Sequence, residues 1–178
     1  MTTADLANGR EASAPVATAT RARFPFDQRA LADFRTGARY FGAHRAHGRK
    51  HAGVDLLAPV GRPIHAIADG VVIQAPYYFY TGTNALEVHH PGVGTVRYGE
   101  INMHKVVRLR AGQHVKQGDL IAYVGRLDSG SSMLHFELYS GTGHGGLTVR
   151  GNPPYQRRSD LVNPTHLMTR LQHEAFGL

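Results

Sequence analysis

From Arg62 onward, apolar and polar positions alternate in short β-branched runs broken by Gly, Pro and Asn: PIHAIADGVVIQAP, NALEVHHPG, GTVRYGEIN, KVVRLRAGQ, GDLIAYVG and MLHFELYSG. A period of two sends successive side chains to opposite faces, so each run predicts a strand with one side toward a core. No helical stretch separates them, which argues for a mainly β fold, a single-domain antiparallel sheet core, and against a parallel α/β fold. GRPIHAIADGVV and GQHVKQGDLIAYVG share a grammar of glycine turn, strand, glycine turn and strand. Hairpin convention and internal duplication account for that equally well.

Two segments predict helices. In DQRALADFRTG, Asp27 stands as an N-cap and Gly37 as a stop; in VNPTHLMTRLQHEAF, Asn163 caps a terminal helix with Pro164 at its first position. Residues 1–20, rich in Ala and Thr without periodicity, predict a flexible tail, leaving 21–178 as one domain. The stretch 141–160, GTGHGGLTVRGNPPYQRRSD, predicts a long loop after the last strong strand, suited to the rim of a substrate cleft.

Composition narrows the chemistry. At 178 residues there is room for one core and one site. The chain has no cysteine, which excludes disulfides and thiolate metal sites, so any metal must rest on His, Asp or Glu. A formal charge of +7 favours an anionic partner such as a wall polymer, nucleic acid or an acidic membrane surface. Nucleic acid is disfavoured because no known motif is present and aromatics are not interleaved with the basic clusters. No run is long and apolar enough to span a bilayer or to act as a secretory signal, so the expectation is a cytoplasmic chain delivered to the periplasm or wall by a non-classical route.

In MLHFELYSG, His135, Glu137 and Tyr139 share one strand face with Met133, and Phe136 and Leu138 share the other. In GRKHAGVDLLAPVG, His51 and Asp55 stand four apart around Gly53. An imidazole and a carboxylate joined by a turn, plus one imidazole from a distant strand, make three ligands and leave a fourth position open, as in a catalytic zinc site. Nickel and copper also accept such ligands. Singly these signals are weak: in a chain with 12 histidines an H-x-x-x-D arises readily by accident. His65, His89 and His90, in or beside strands, and the turn-borne His104 are explained by exposure or hydrogen bonding. Glu137 either orients a ligand or caps a strand. Arg157 and Arg158 read as solvated loop charges.

Order and context add the rest. RYFGAHRAHGRKHAGVDLLAPVGRPIHAIADGVV, then TVRYGEI, Ala111 to Gly125, SGSSMLHFEL and VNPTHL resemble, in the same order, the elements of the LytM or lysostaphin-type zinc endopeptidases, which cut peptide bridges in bacterial cell walls. The resemblance covers roughly residues 39–167. It implies one zinc ion on His51, Asp55 and His135. It also implies two helper histidines, whose positions hold Met133 and Glu100 here. Glu100 is then the candidate base, and Met133 packs or forms an apolar wall. Strict alternation places Tyr98 on the face of Glu100, where it helps polarise a substrate carbonyl, although an aromatic packed in the β core is the more ordinary account. The function implied is a zinc peptidase acting on peptidoglycan cross-links or stem peptides. The alternative is a catalytically degenerate, zinc-containing module that binds peptidoglycan.

Overall fold

The computed structural model describes residues 21–142 and 145–177; the tail expected over residues 1–20 lies outside them. The alternating runs form β1 (Val54–Leu57), β2 (Pro63–His65), β3 (Gly70–Tyr80), β4 (Thr83–His90), β5 (Gly94–Ile101), β6 (His114–Val115), β7 (Leu120–Tyr123), β8 (Met133–Tyr139) and β9 (Leu161–Val162), followed by the helix α1 (Thr165–Phe176). Seven strands make one antiparallel sheet in the order β1-β8-β5-β4-β3-β6, with β9 continuing the β1 edge of β8. The pair β2-β7 stands apart. The two segments of shared grammar therefore interleave: the first strand of one (β2) pairs the last of the other (β7), and β3 pairs β6.

The core face of β5 and β8 carries Val96, Tyr98, Leu134, Phe136 and Leu138, all buried. Each contributes roughly 1.5–3 kcal/mol through removal of apolar surface from water. Phe24 closes one end of the core, edge-on to both Phe26 and Phe176 of α1. Asn163 accepts the Thr165 amide at 2.9 Å, so α1 begins one residue later than the sequence suggests.

Two expected elements are absent. Asp27–Gly37 forms turns instead of a helix. The Asp27 carboxylate is taken by Arg23 and His65 rather than by backbone amides, Phe34 is the one large side chain of the segment buried in the core, with Ala30 packed partly against it, and Leu31 stays 64% exposed. A lone apolar anchor gives such a helix no buried stripe to pack. KVVRLRAGQ, 105–113, forms no strand: only its last two residues, Gly112 and Gln113, exchange hydrogen bonds with Val72 of β3, and the paired strand is His114–Val115 just beyond it.

Candidate metal centre

His135 on β8 stands directly opposite Asp55 on β1 and Gly99 on β5. His51 reaches the same point from the segment before β1, which is tied back to Ala43 by its amide and to Gly42 by its carbonyl. The three donor atoms form a nearly equilateral triangle. His51 Nε2 lies 3.0 Å from His135 Nδ1 and 3.0 Å from Asp55 Oδ1, and His135 Nδ1 lies 2.9 Å from that oxygen. Among the described residues this is the cluster able to hold a metal ion. The spacing approaches the ~3.3 Å between ligands of a tetrahedral zinc with bonds near 2.0 Å.

The far nitrogen of each ring is also spoken for. His51 Nδ1–H donates to the Tyr40 carbonyl at 2.9 Å, and His135 Nε2–H donates to Glu137 Oε1 at 2.9 Å. Each bond fixes a tautomer that turns a lone pair toward the centre, the usual task of outer partners at a metal site. Gly99 makes room: a Cβ there would meet Phe79 at 2.9 Å and the His135 ring at 3.2 Å. Phe79 lies stacked on that ring, with centroids 5.9 Å apart.

Behind His135 runs a charge ladder across three strands. Glu87, Arg97 and Glu137 face one another in register on β4, β5 and β8. Arg97 Nη1 donates to Glu137 Oε2 at 3.0 Å and Nη2 to Glu87 Oε1 at 3.2 Å. Tyr139 O–H donates to the same Glu137 oxygen at 2.5 Å, and Arg157 binds Oε1 through Nε at 2.9 Å and Nη2 at 2.8 Å. Glu137 is thus saturated by donors. Burial would raise its carboxyl, but Arg97, His135 and Arg157 hold it well below the usual carboxylate range. Burial would likewise lower His135, yet the hydrogen bonds to Asp55 and Glu137 push it up to about 10. Burial dominates at His51 and lowers it, favouring the neutral ring a metal requires. Both buried carboxylates thus demand a cation at His135 Nδ1, which either a proton or a metal supplies.

Glu100 shares this cleft of roughly 140 Å³ with the three donors, and with Arg45, Arg49, Lys50, Phe79, Tyr80 and Tyr155 around it. It arrives there by a β-bulge. Leu86 pairs Tyr98 and Asn84 pairs Ile101, so Gly99 and Glu100 both face Ala85. The extra residue takes φ +59°, a left-handed conformation uncommon for a side chain of this kind, and re-aims its carboxylate toward the site. Glu100 Oε2 is the one buried side-chain oxygen or nitrogen without a hydrogen-bond partner among the described residues. Burial pushes its carboxyl up to about 7.

The bulge also corrects the reading of Tyr98. Strict alternation puts Tyr98 on the Glu100 face, but the extra residue leaves Tyr98 in the core, fully buried. Its hydroxyl accepts the Ile67 amide at 3.2 Å and pairs with His90 at 2.9 Å, and its ring meets Phe136 edge-on, so it does not reach a substrate in the cleft. Met133 stands half-buried opposite Leu57 at the start of β8 and is not part of the cleft wall. Arg157 and Arg158 are not free loop charges: one holds Glu137, the other pairs with Asp160 at 2.6 Å. Arg97 and Arg157 are the site-supporting residues the sequence reading missed. An arginine inside an apolar strand run was the available signal for Arg97; Arg157 gave none.

Among solved structures, the antimicrobial peptidase lysostaphin from Staphylococcus simulans superposes with a TM-score of 0.61 at 22% identity, covering 88% of this chain and 57% of that one. It shares the mainly β fold with its short terminal helix. A zinc-containing peptidase from Vibrio cholerae is 31% identical with a TM-score of 0.50, over 66% of this chain and 36% of that one. A curated relative, the peptidoglycan DD-endopeptidase ShyC of Vibrio cholerae, is 34% identical over 98 residues, 52% of this chain; the match spans only 22% of that relative's length. The sequence profile of peptidase family M23 takes in residues 49–147, from just before His51 to beyond Glu137, and with more than half of its length matched the chain belongs to that family.

Proposed function

We propose that this protein is a zinc-dependent endopeptidase that cuts peptide bonds in bacterial peptidoglycan, with His51, Asp55 and His135 holding one zinc ion and Glu100 serving as general base. The observation that carries this reading is the orphaned, buried Glu100 oxygen in the same cleft as three converging metal donors. The donor set fits the ion, being two tautomer-locked imidazoles and one carboxylate, all nitrogen and oxygen. Zinc in such a site supplies Lewis acidity, making water acidic near neutral pH and polarising a carbonyl.

The chain's own residues supply the proton traffic and the grip. With its carboxyl pushed up to about 7, Glu100 takes a proton from an attacking water at Oε2 and returns it to the departing amine. Phe79, Tyr80 and Tyr155 wall the cleft, and Arg45, Arg49 and Lys50 form a basic rim suited to the carboxylates of wall peptides. A relative named as a peptidoglycan DD-endopeptidase and another named as a glycyl-glycine endopeptidase support the substrate class. The activity belongs at the cell wall. Among the described residues no helix is long and apolar enough to cross a membrane.

One feature favours a second reading, a binding module without catalysis: Met133 stands where the family resemblance places a helper histidine. Incubating the zinc-loaded chain with purified peptidoglycan separates the two. We expect release of peptides and new amino groups, reduced about 10²–10⁴-fold in Glu100→Gln while zinc remains bound. Wall binding with no release by the unaltered chain supports the module and removes the enzyme.

A further inference from the structure

Resting on the metal-centre reading above, we infer that Arg157 is a positioning residue for the metal ligands, and that the segment 147–158 which carries it braces both imidazoles at once. The segment is a folded hairpin. Thr148 bridges Arg157, the Val149 amide donates to the Gln156 carbonyl at 3.1 Å, and the Arg158 amide donates to the Leu147 carbonyl at 2.8 Å, over a buried Leu147. From it the Arg157 guanidinium places two N–H groups on Glu137 Oε1, the same oxygen that receives the His135 ring proton. The orientation of His135 is therefore set in part by a residue 20 positions beyond Glu137.

The same hairpin reaches the other imidazole by a separate route. The Lys50 amide, next to His51, donates to the Pro154 carbonyl at 2.9 Å. Tyr155 stacks on Phe41 with centroids 4.9 Å apart and planes 21° from parallel. Phe41 follows Tyr40, whose carbonyl holds His51 Nδ1–H. Between these two attachments sits Gln156 at φ +55°, a left-handed conformation that a non-glycine residue holds where the surroundings over-determine it. One strained turn thus delivers Arg157 to one ligand's partner and Pro154 and Tyr155 to the scaffold of the other. Seating of this hairpin and affinity for the metal are a single coupled property.

Zinc competition against a chromophoric chelator, on the full chain, tests this together with the visible spectrum of the Co²⁺-loaded protein. Arg157→Ala is expected to weaken zinc about 10–100-fold, the loss typical of outer partners, and to change the Co²⁺ spectrum. Millimolar guanidinium should restore part of both, and Arg157→Lys should fall between Arg157→Ala and the unaltered chain. Tyr155→Leu, which leaves Glu137 and Arg157 intact, is expected to weaken zinc as well. Arg150→Ala, which removes a charge from the same segment, should leave affinity and spectrum unchanged. If Arg157→Ala does not fold, Arg157→Lys and Tyr155→Leu decide the matter. Unchanged zinc affinity and Co²⁺ spectra in the folded variants overturn the inference while leaving the metal centre standing. Absence of zinc binding by the unaltered chain instead overturns the metal centre itself.

Discussion

His90 and His135 are both buried in the same sheet, at 0% and 5% exposure, yet they are driven in opposite directions. Burial lowers His90 to about 4, since its partners are neutral: Nδ1–H donates to the Asp69 carbonyl at 3.2 Å and Nε2 accepts from the Tyr98 hydroxyl at 2.9 Å. His135 meets a carboxylate at each ring nitrogen and is pushed up to about 10. Burial is common to both and so cannot be the deciding factor; the formal charge of the hydrogen-bond partner is. One histidine serves as neutral cement on the core side of the fold. The other lies where two buried carboxylates call for a cation.

The harshest way to break that contrast is to remove charge behind His135. Glu137→Gln leaves Arg97 and Arg157 without their shared anion, and separating a buried pair in this way costs about 3–5 kcal/mol. Urea denaturation at pH 7 with chelator present, so that metal loss does not enter, should show that loss. A difference below about 1 kcal/mol would mean that the ladder contributes specificity rather than stability.

His90 supplies the next largest effect, and its sign follows from the neutral native ring. Above the unfolded value of about 6.5 neither state is protonated and this contribution is constant. As the pH falls below 6.5 the unfolded chain binds a proton that the native ring refuses, until about 4. Stability should therefore fall by about 1.4 kcal/mol per pH unit across that window, about 3 kcal/mol in all, and level off below it. Comparing unfolding free energies of the unaltered chain and His90→Gln between pH 7 and 4 isolates this slope from that of the acidic residues. Parallel curves would show that His90 does not titrate as described.

Tyr98→Phe is the mildest test. It deprives His90 Nε2 and the Ile67 amide of one common partner, and should cost about 1–2 kcal/mol without altering zinc affinity. A large loss of zinc would instead place Tyr98 in the site and contradict its core position.

Much of this architecture was legible in advance, and the failures share a cause. The alternation of β3, β4, β5 and β8 and the terminal helix follow from local pattern, whereas the gathering of His51, Asp55 and His135 into one set is legible only through the family resemblance. Tyr98 was misassigned because alternation assumes an unbroken period of two, and a bulge at Gly99 and Glu100 shifts the phase by one. Turns replace a helix over Asp27–Gly37 because Asp27 is held by Arg23 and His65 and the segment has no apolar stripe to bury. The Glu87–Arg97–Glu137 ladder and Arg157 went unseen since pairing register, and the return of a segment 20 residues further on, are tertiary facts that no local window contains.

Because the bulge absorbs its extra residue, Leu86 still meets Tyr98 on one side and Asn84 still meets Ile101 on the other. The side chain at position 100 can therefore be exchanged while the neighbouring strand pairs and the apolar layer beneath them stay as they are. A carboxylate can stand there in this chain where the family resemblance places an imidazole, and the group presented to the cleft at this position can differ without the scaffold having to be rebuilt around it.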